Sequence, residues 1–145
     1  MSKQKTGVLG LFELIGELSR RRYRLGEGAF AKLGLNHTEA RILSLLVGYS
    51  EAPTQDALSN RLTVDRSNAG RAMKSLEQRG LVAREKHVTD GRTYVVRLTD
   101  EGREVARQIE QMRTGMAQEL FPQLSDVQAD ALIAQLEQAI AVGGA

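Results

Sequence analysis

Apolar residues recur at helical spacing near both ends of the chain, with polar residues between them. A spacing of three to four residues places apolar side chains on one face, which is the pattern of an amphipathic helix. Glycine is a poor helix former, so the glycines from Gly26 to Gly34 predict a kink or break after the first stripe. The two stripes are Leu11, Ile15 and Leu18 in a first helix, and Leu132, Leu136 and Ile140 in a last helix.

Each of the next three helices is predicted to begin at a residue whose side chain can accept a backbone hydrogen bond. Ala57, Leu58 and Leu62 give the second of these helices an inward face. Because only three or four residues separate it from the next, the pair has the pattern of a helix-turn-helix. The caps and helices are Asn36 with Glu39 for 37–48, Thr54 for 55–61, and Asp65 for a helix that stops at Gly80.

After the glycine the period changes from helical to alternating. Residues 81–83 begin a strand, and 94–98 form a β-branched and aromatic return strand. Tyr94, Val96 and Leu98 are expected on one face of that strand because strand side chains alternate. This hairpin follows a helix-turn-helix directly, so it forms a wing.

Two more helices complete the chain, with Thr99 as the cap of the fifth and Ser125 at the start of the last. The predicted fold is mainly α with a small β-hairpin. It is a winged helix-turn-helix at 36–103, flanked by helical segments at 1–35 and 104–145.

The fourth helix presents a polar face opposite its apolar residues. A helix fits the major groove of DNA, where Arg reads guanine, Asn reads adenine and Ser contacts either. The alternative is the polar side of an ordinary amphipathic helix, but the helix-turn-helix context favours DNA binding. The candidate DNA-binding residues are Arg66, Ser67, Asn68, Gly70, Arg71 and Lys74, where Gly70 allows the backbone to approach closely.

The tip of the wing gives a second candidate site of three residues, Asp90, Gly91 and Arg92. A narrow minor groove attracts arginine because its negative potential is enhanced. Phosphates would repel Asp90, so we expect its carboxylate to orient Arg92 or an arginine of the fourth helix. The alternative is a type I′ turn made by Asp90 and Gly91, which would leave Arg92 unexplained.

The charge distribution agrees with this placement. The chain of 145 residues has a net charge of +2, yet residues 60–103 carry 10 basic and 6 acidic side chains, whereas 104–145 carry 2 and 6. A basic middle beside an acidic end is typical of a polyanion-binding segment next to a packing segment.

Composition excludes several other classes of function. The chain has no cysteine, which excludes a disulfide framework, a thiolate nucleophile, a thiol switch and a Cys-ligated zinc. Its two histidines are far apart in sequence, so we expect no metal and no cofactor. No motif suggests an enzyme. Without a membrane span or a signal peptide, the expected location is the cytoplasm.

Several short motifs together resemble one family, the MarR-type regulators. They agree in order and spacing with its D-x-R … L-T-x-x-G signature and with its helix-turn-helix. Two positions depart from the family: His87-Val88, where many relatives have proline, and Thr63, often glycine. The signature residues are Asp90, Arg92, Leu98, Thr99 and Gly102, and the helix-turn-helix resemblance covers 58–67 and 76–82 within a region of about 36–103.

This resemblance implies a homodimeric repressor that binds double-stranded DNA at a pseudo-palindromic operator. Arg92 would read the minor groove with Asp90 as its salt-bridged partner, and the fourth helix would enter the major groove. The two apolar stripes would form the dimer, unless they pack only within one chain. Many relatives release DNA when small aromatic anions bind, and Arg20–Arg24 would hold such an anion, contact phosphates or face solvent. A competing hypothesis is a winged-helix module that binds protein partners without specific DNA binding.

Overall fold

A computed structural model of the protein describes residues 4–141. The predicted class is confirmed, because the described chain has six helices and one antiparallel hairpin. In chain order the elements are α1 (Gly7–Ala31), α2 (His37–Val47), α3 (Gln55–Leu62), α4 (Arg66–Gln78), β1 (Val82–Lys86), β2 (Tyr94–Leu98), α5 (Asp100–Leu120) and α6 (Asp126–Ala141).

The core is centred on α2, which packs against α1, α3, α4, α5 and β2. Its Ile42 and Leu43 are fully buried, together with Met73 and Leu76 of α4 and Ile109 of α5. These side chains come from the helical stripes that the sequence displays. Elements α3, α4 and the wing are therefore attached to one apolar cluster.

The first helix is longer than the glycine pattern suggests. It continues through Gly26 and ends at Ala31, and Gly34 then takes a positive φ of 69° in the following turn. The expected break thus lies at the end of the predicted interval. A Cβ on Gly26 would lie 2.9 Å from His37 Cε1, so this glycine serves the close packing of α1 on α2.

The turn between α3 and α4 contains a strained residue. Thr63 has φ 53° and ψ 29°, in the left-handed region that a β-branched side chain rarely adopts. Its hydroxyl donates to the Leu62 carbonyl at 2.7 Å. The departure seen at Thr63 in the sequence therefore falls where a glycine would be unstrained.

The inward face of α3 differs from the expected one at one position. Ala57 of α3 is exposed and Ser59 is buried instead, which corrects the expected inward face.

The wing is a short antiparallel ladder that pairs Val82 with Leu98 and Lys86 with Tyr94 at its two ends. Val96 and Leu98 are buried, whereas Tyr94 at the outer end of the same strand is exposed. The Val96 N–H donates to the Pro53 carbonyl at 2.9 Å, so the segment before α3 pairs with the wing.

The terminal helices leave much apolar surface uncovered. None of the described α6 side chains is buried, and Gly10, Gly26 and Phe30 are the buried residues of α1. Among residues 4–141, no helix combines the length and the apolar character needed to cross a membrane.

Candidate nucleic-acid interface

The N-terminus of α4 is built by a side-chain cap. Asp65 accepts hydrogen bonds at 2.7 Å from the Ser67 hydroxyl and from the Asn68 backbone N–H. These two bonds hold the pKa of the Asp65 carboxyl below its usual value, and the bond from Ser67 has the larger effect. The carboxylate is therefore ionised at neutral pH and fixes the start of α4.

The candidate residues of α4 lie on its outer face, while Ala69, Ala72, Met73 and Leu76 are buried on the inner face. A Cβ on Gly70 would meet nothing within 4 Å, so the helix backbone there is open to an approaching molecule. The accessible members of this face are Arg66, Ser67, Arg71 and Lys74, which are exposed, and Asn68 and Gly70, which are half-buried.

The wing tip is a hydrogen-bonded turn whose geometry differs from the type I′ alternative. The Thr93 N–H donates to the Asp90 carbonyl at 3.1 Å, which centres the turn on Gly91 and Arg92. Within residues 4–141, positive φ among glycines occurs only at Gly7, Gly34 and Gly80. A type I′ turn needs positive φ at both central residues, so that alternative is wrong.

The Asp90 carboxylate does orient Arg92, but through the backbone. One oxygen accepts from the Arg92 backbone N–H and the other from the Thr93 hydroxyl, each at 3.1 Å. The ion pairs of the described chain do not include Asp90 with Arg92, so the implied salt bridge is not formed among these residues. The guanidinium of Arg92 is therefore left available.

The basic side chains of the candidate interface differ from most arginines of the neighbouring elements because they have no carboxylate within ion-pair distance among the described residues. Arg84, Arg97, Arg107 and Arg113 each have a carboxylate within 3.3 Å. Across residues 4–141 the four basic side chains of the candidate interface have none. These unpaired cations are Arg66, Arg71 and Lys74 of α4 and Arg92 of the wing.

One arginine that the sequence does not single out joins α3, α4 and the wing to each other. Arg84 of β1 donates to Gln55 of α3 at 3.2 Å and to Glu77 of α4 at 3.0 Å, and its guanidinium lies 5.7 Å from the Tyr94 ring centre. The bond from Arg84 also holds the pKa of the Glu77 carboxyl below its usual value. A basic residue in a strand gives no sequence signal for partners 29 positions away.

A second missed arginine joins α4 to the end of α1. The Arg79 guanidinium donates to the carbonyls of Leu33 and Gly34, both at 2.9 Å. These carbonyls follow the last turn of α1, so Arg79 fixes the C-terminus of α4 against the N-terminal segment.

A cavity of about 770 Å³ opens between α1, α2 and α5. His37 lines it, stacked on Tyr23 with ring centres 3.8 Å apart, and its buried Nε2 finds no hydrogen-bond partner within residues 4–141. Arg22 from the N-terminal basic run also lines this cavity, together with Arg41 and Arg113. The described residues bring together no group of three or more His, Asp or Glu side chains that could hold a metal ion.

The apolar stripes of the terminal helices lie at the surface of the described chain. Their side chains do not cover one another within the chain, although Leu18 is half-buried. The exposed members are Leu11, Ile15, Leu132, Leu136 and Ile140, joined by Val8, Leu9 and Phe12 of α1.

Comparison with known proteins gives one family. The model of the MarR family matches residues 33–93. A Thauera aromatica protein, whose name assigns it to regulation of the hcr operon, is 33% identical over 85 residues, 59% of this chain and 51% of that protein. The HTH-type transcriptional regulator YdgJ of Bacillus subtilis is 34% identical over 71 residues, 49% of this chain and 43% of that protein. The matched segments thus span about half the length of these curated relatives.

Solved structures share the fold of nearly the whole chain. Wild-type MarR from E. coli in its apo form aligns with a TM-score of 0.80 at 23% identity, covering 93% of this chain and 99% of that one. A cysteine-to-serine mutant of the same protein, complexed with operator DNA, aligns with a TM-score of 0.76 at 23% identity, covering 96% and 99%.

Proposed function

We propose that the chain, whose residues 33–93 match the MarR family model, is a member of that family and acts as a cytoplasmic, sequence-specific transcriptional regulator, and specifically as a repressor. It binds a pseudo-palindromic operator in double-stranded DNA as a homodimer. Residues 36–103 form the DNA-binding unit, and 1–35 with 104–145 form the dimerisation unit. The curated relatives are named as transcriptional regulators, which supports this class of function over an enzyme.

The observation that carries this function is the set of unpaired cations on α4 and the wing. Ion-paired arginines already have a carboxylate beside them, whereas Arg71 and Arg92 have none within ion-pair distance among the described residues, so their guanidinium groups can bind phosphate oxygens or base edges. The open backbone at Gly70 lets α4 sit deep in a major groove. Arg84 holds α3, α4 and the wing as one body, so the two reading elements meet DNA together.

The function is tested by selecting bound fragments from a random duplex library. A sequence-specific regulator enriches one pseudo-palindrome, called here the selected duplex, and its log affinity falls with log salt by about 0.9 for each phosphate neutralised. A chain that enriches no sequence and shows no salt dependence would instead support the winged-helix module that binds protein partners.

Arg92→Ala is expected to weaken binding to the selected duplex by about 1–3 kcal/mol, because the variant loses the wing contact to the groove. Its salt slope is expected to fall by at most about one unit. Fluorescence anisotropy across a salt series measures both quantities. Arg97→Ala is the matched control, since it removes the same charge from β2, where Arg97 is already paired with Glu85 at 2.7 Å. Equal losses in the two variants would contradict a specific role for Arg92.

We propose that a small molecule bound in the cavity between α1, α2 and α5 releases the protein from DNA. Its volume of about 770 Å³ suits a small organic molecule, and its lining combines Tyr23 and Phe30 with the cations Arg22 and Arg41. Aromatic rings beside guanidinium groups favour a small aromatic anion. We expect benzoate and its ring-substituted relatives to raise the melting temperature and lower affinity for the selected duplex. If none of these benzoates changes the melting temperature or the affinity, small aromatic anions are excluded as effectors.

A further inference from the structure

His87 is an ordered side chain of the wing that the proposed function does not use. Its ring nitrogen Nδ1 lies 2.9 Å from Thr89 Oγ1, 3.2 Å from the Thr89 backbone N and 3.3 Å from the Asp90 backbone N. Backbone N–H groups can only donate, so Nδ1 must carry the lone pair that accepts them. The proton of the neutral ring is therefore on Nε2.

The hydrogen bonds continue from His87 to the wing tip. The backbone N–H of Asp90 is held by His87, while the carboxylate of Asp90 accepts from the Arg92 backbone N–H at 3.1 Å. At the base of the loop, the His87 backbone N–H donates to the Thr93 carbonyl at 2.7 Å. His87 is thus the first member of a short chain of contacts that ends at Arg92.

The loop has little else to hold it in one shape. Strand pairing ends at Lys86 with Tyr94, and residues 87–93 are all exposed or half-buried. Val88 is 99% exposed, so the loop gains nothing from apolar packing at that position. Apart from two backbone hydrogen bonds, from the His87 N–H to the Thr93 carbonyl and from the Thr93 N–H to the Asp90 carbonyl, its conformation depends on the side-chain hydrogen bonds of His87 and Asp90.

We propose that His87 is a positioning residue for the minor-groove contact. Through Nδ1 it fixes the backbone of the wing loop, and through Asp90 it presents Arg92 in one geometry, without touching DNA itself. The consequence for DNA affinity rests on the proposed function, whereas the consequence for the order of the loop does not.

Two amide substitutions separate positioning from direct contact. Asparagine places its side-chain oxygen near the position of Nδ1, whereas glutamine reaches the position of Nε2. We expect His87→Asn to keep the affinity for the selected duplex. His87→Gln and His87→Leu are expected to lose about fivefold, the size of effect that one lost hydrogen bond produces. The melting temperature should stay within about 2 °C in all three variants, because the loop is outside the core.

The order of the loop is measured without DNA by amide hydrogen exchange of Asp90 and Arg92, followed by NMR. We expect faster exchange in the Leu and Gln variants and wild-type exchange in the Asn variant. This measurement stands even for a chain that selects no duplex, so failure of the positioning role and failure of the proposed function give different results.

Arg92→Ala supplies the last arm of the experiment. Because His87 acts through Arg92, the fivefold loss from His87→Leu should vanish in the Arg92→Ala background. A loss that persists there would overturn the inference, and so would a Gln variant that binds while the Asn variant does not. Unchanged amide exchange in the Leu variant would overturn it as well.

Discussion

Replacing Gly102 by alanine is expected to destabilise the protein by about 3 kcal/mol, because the new methyl group has no room beside the main chain. A Cβ at this position would overlap the Leu81 carbonyl oxygen and lie 2.9 Å from the Leu81 carbonyl carbon. The contact is with backbone, so no rotamer change can relieve it. Thermal unfolding followed by circular dichroism should show a fall of roughly 6–12 °C in the midpoint.

The reason for so tight a fit is the junction between the wing and α5. The Thr99 N–H donates to the Leu81 carbonyl at 3.2 Å, and the Thr99 hydroxyl donates to the Gly80 carbonyl at 2.6 Å. The same hydroxyl accepts from the Gly102 N–H at 3.0 Å. The start of β1 is therefore pressed against the first turn of α5, and a side chain on Gly102 would push the two apart.

Gly115→Ala is the matched control in the same helix. Nothing lies within 4 Å of a Cβ at Gly115, so alanine there should stabilise the protein by up to about 1 kcal/mol through its better helix propensity. Equal unfolding midpoints for Gly102→Ala and the wild type would show that the main chain at this junction moves to accommodate the methyl group. That result would contradict the packing described here.

The helix starts show how far the sequence could predict this fold. Asn36, Thr54, Asp65, Thr99 and Ser125 all cap as expected, each accepting from a backbone N–H three residues later. A cap depends on residues that are adjacent in sequence, so the chain displays it directly. The same holds for the apolar stripes, because their period follows from helical geometry.

The contacts that position the candidate site could not be predicted in this way. Arg79 reaches Leu33 across 46 positions, and Arg84 reaches Gln55 across 29, so no local pattern joins them. Gly102 could be recognised from a motif, but its steric reason appears only when Leu81 lies beside it. The type I′ alternative at Asp90 and Gly91 was wrong, because the Asp90 carboxylate accepts from the backbone N–H of Arg92, which an Asp-Gly pair in the sequence does not reveal.

The placement of exposed apolar residues connects the fold to the proposed assembly. Val47 of α2 is 60% exposed as an isolated residue, which is ordinary for a protein surface. On α6, in contrast, Leu132, Leu136 and Ile140 are exposed together along one helix. Contiguous apolar surface of this kind marks an interaction site. Two copies of the chain would cover it and would bring two recognition helices to one operator.

Leu132→Lys combined with Leu136→Lys is expected to convert a dimer into a folded monomer, because four charges would enter one apolar interface. Sedimentation should give about twice 15.9 kDa for the wild type and one chain mass for the variant. Affinity for the selected duplex should fall by at least about 100-fold, since a monomer contacts one half-site and no longer gains from the linkage of two half-site contacts. The added positive charge would by itself favour DNA, so electrostatics cannot explain a loss. Val47→Lys is the matched control and should stay dimeric with wild-type affinity. A wild-type chain that sediments as a monomer, or a double variant that remains dimeric, would contradict this assembly.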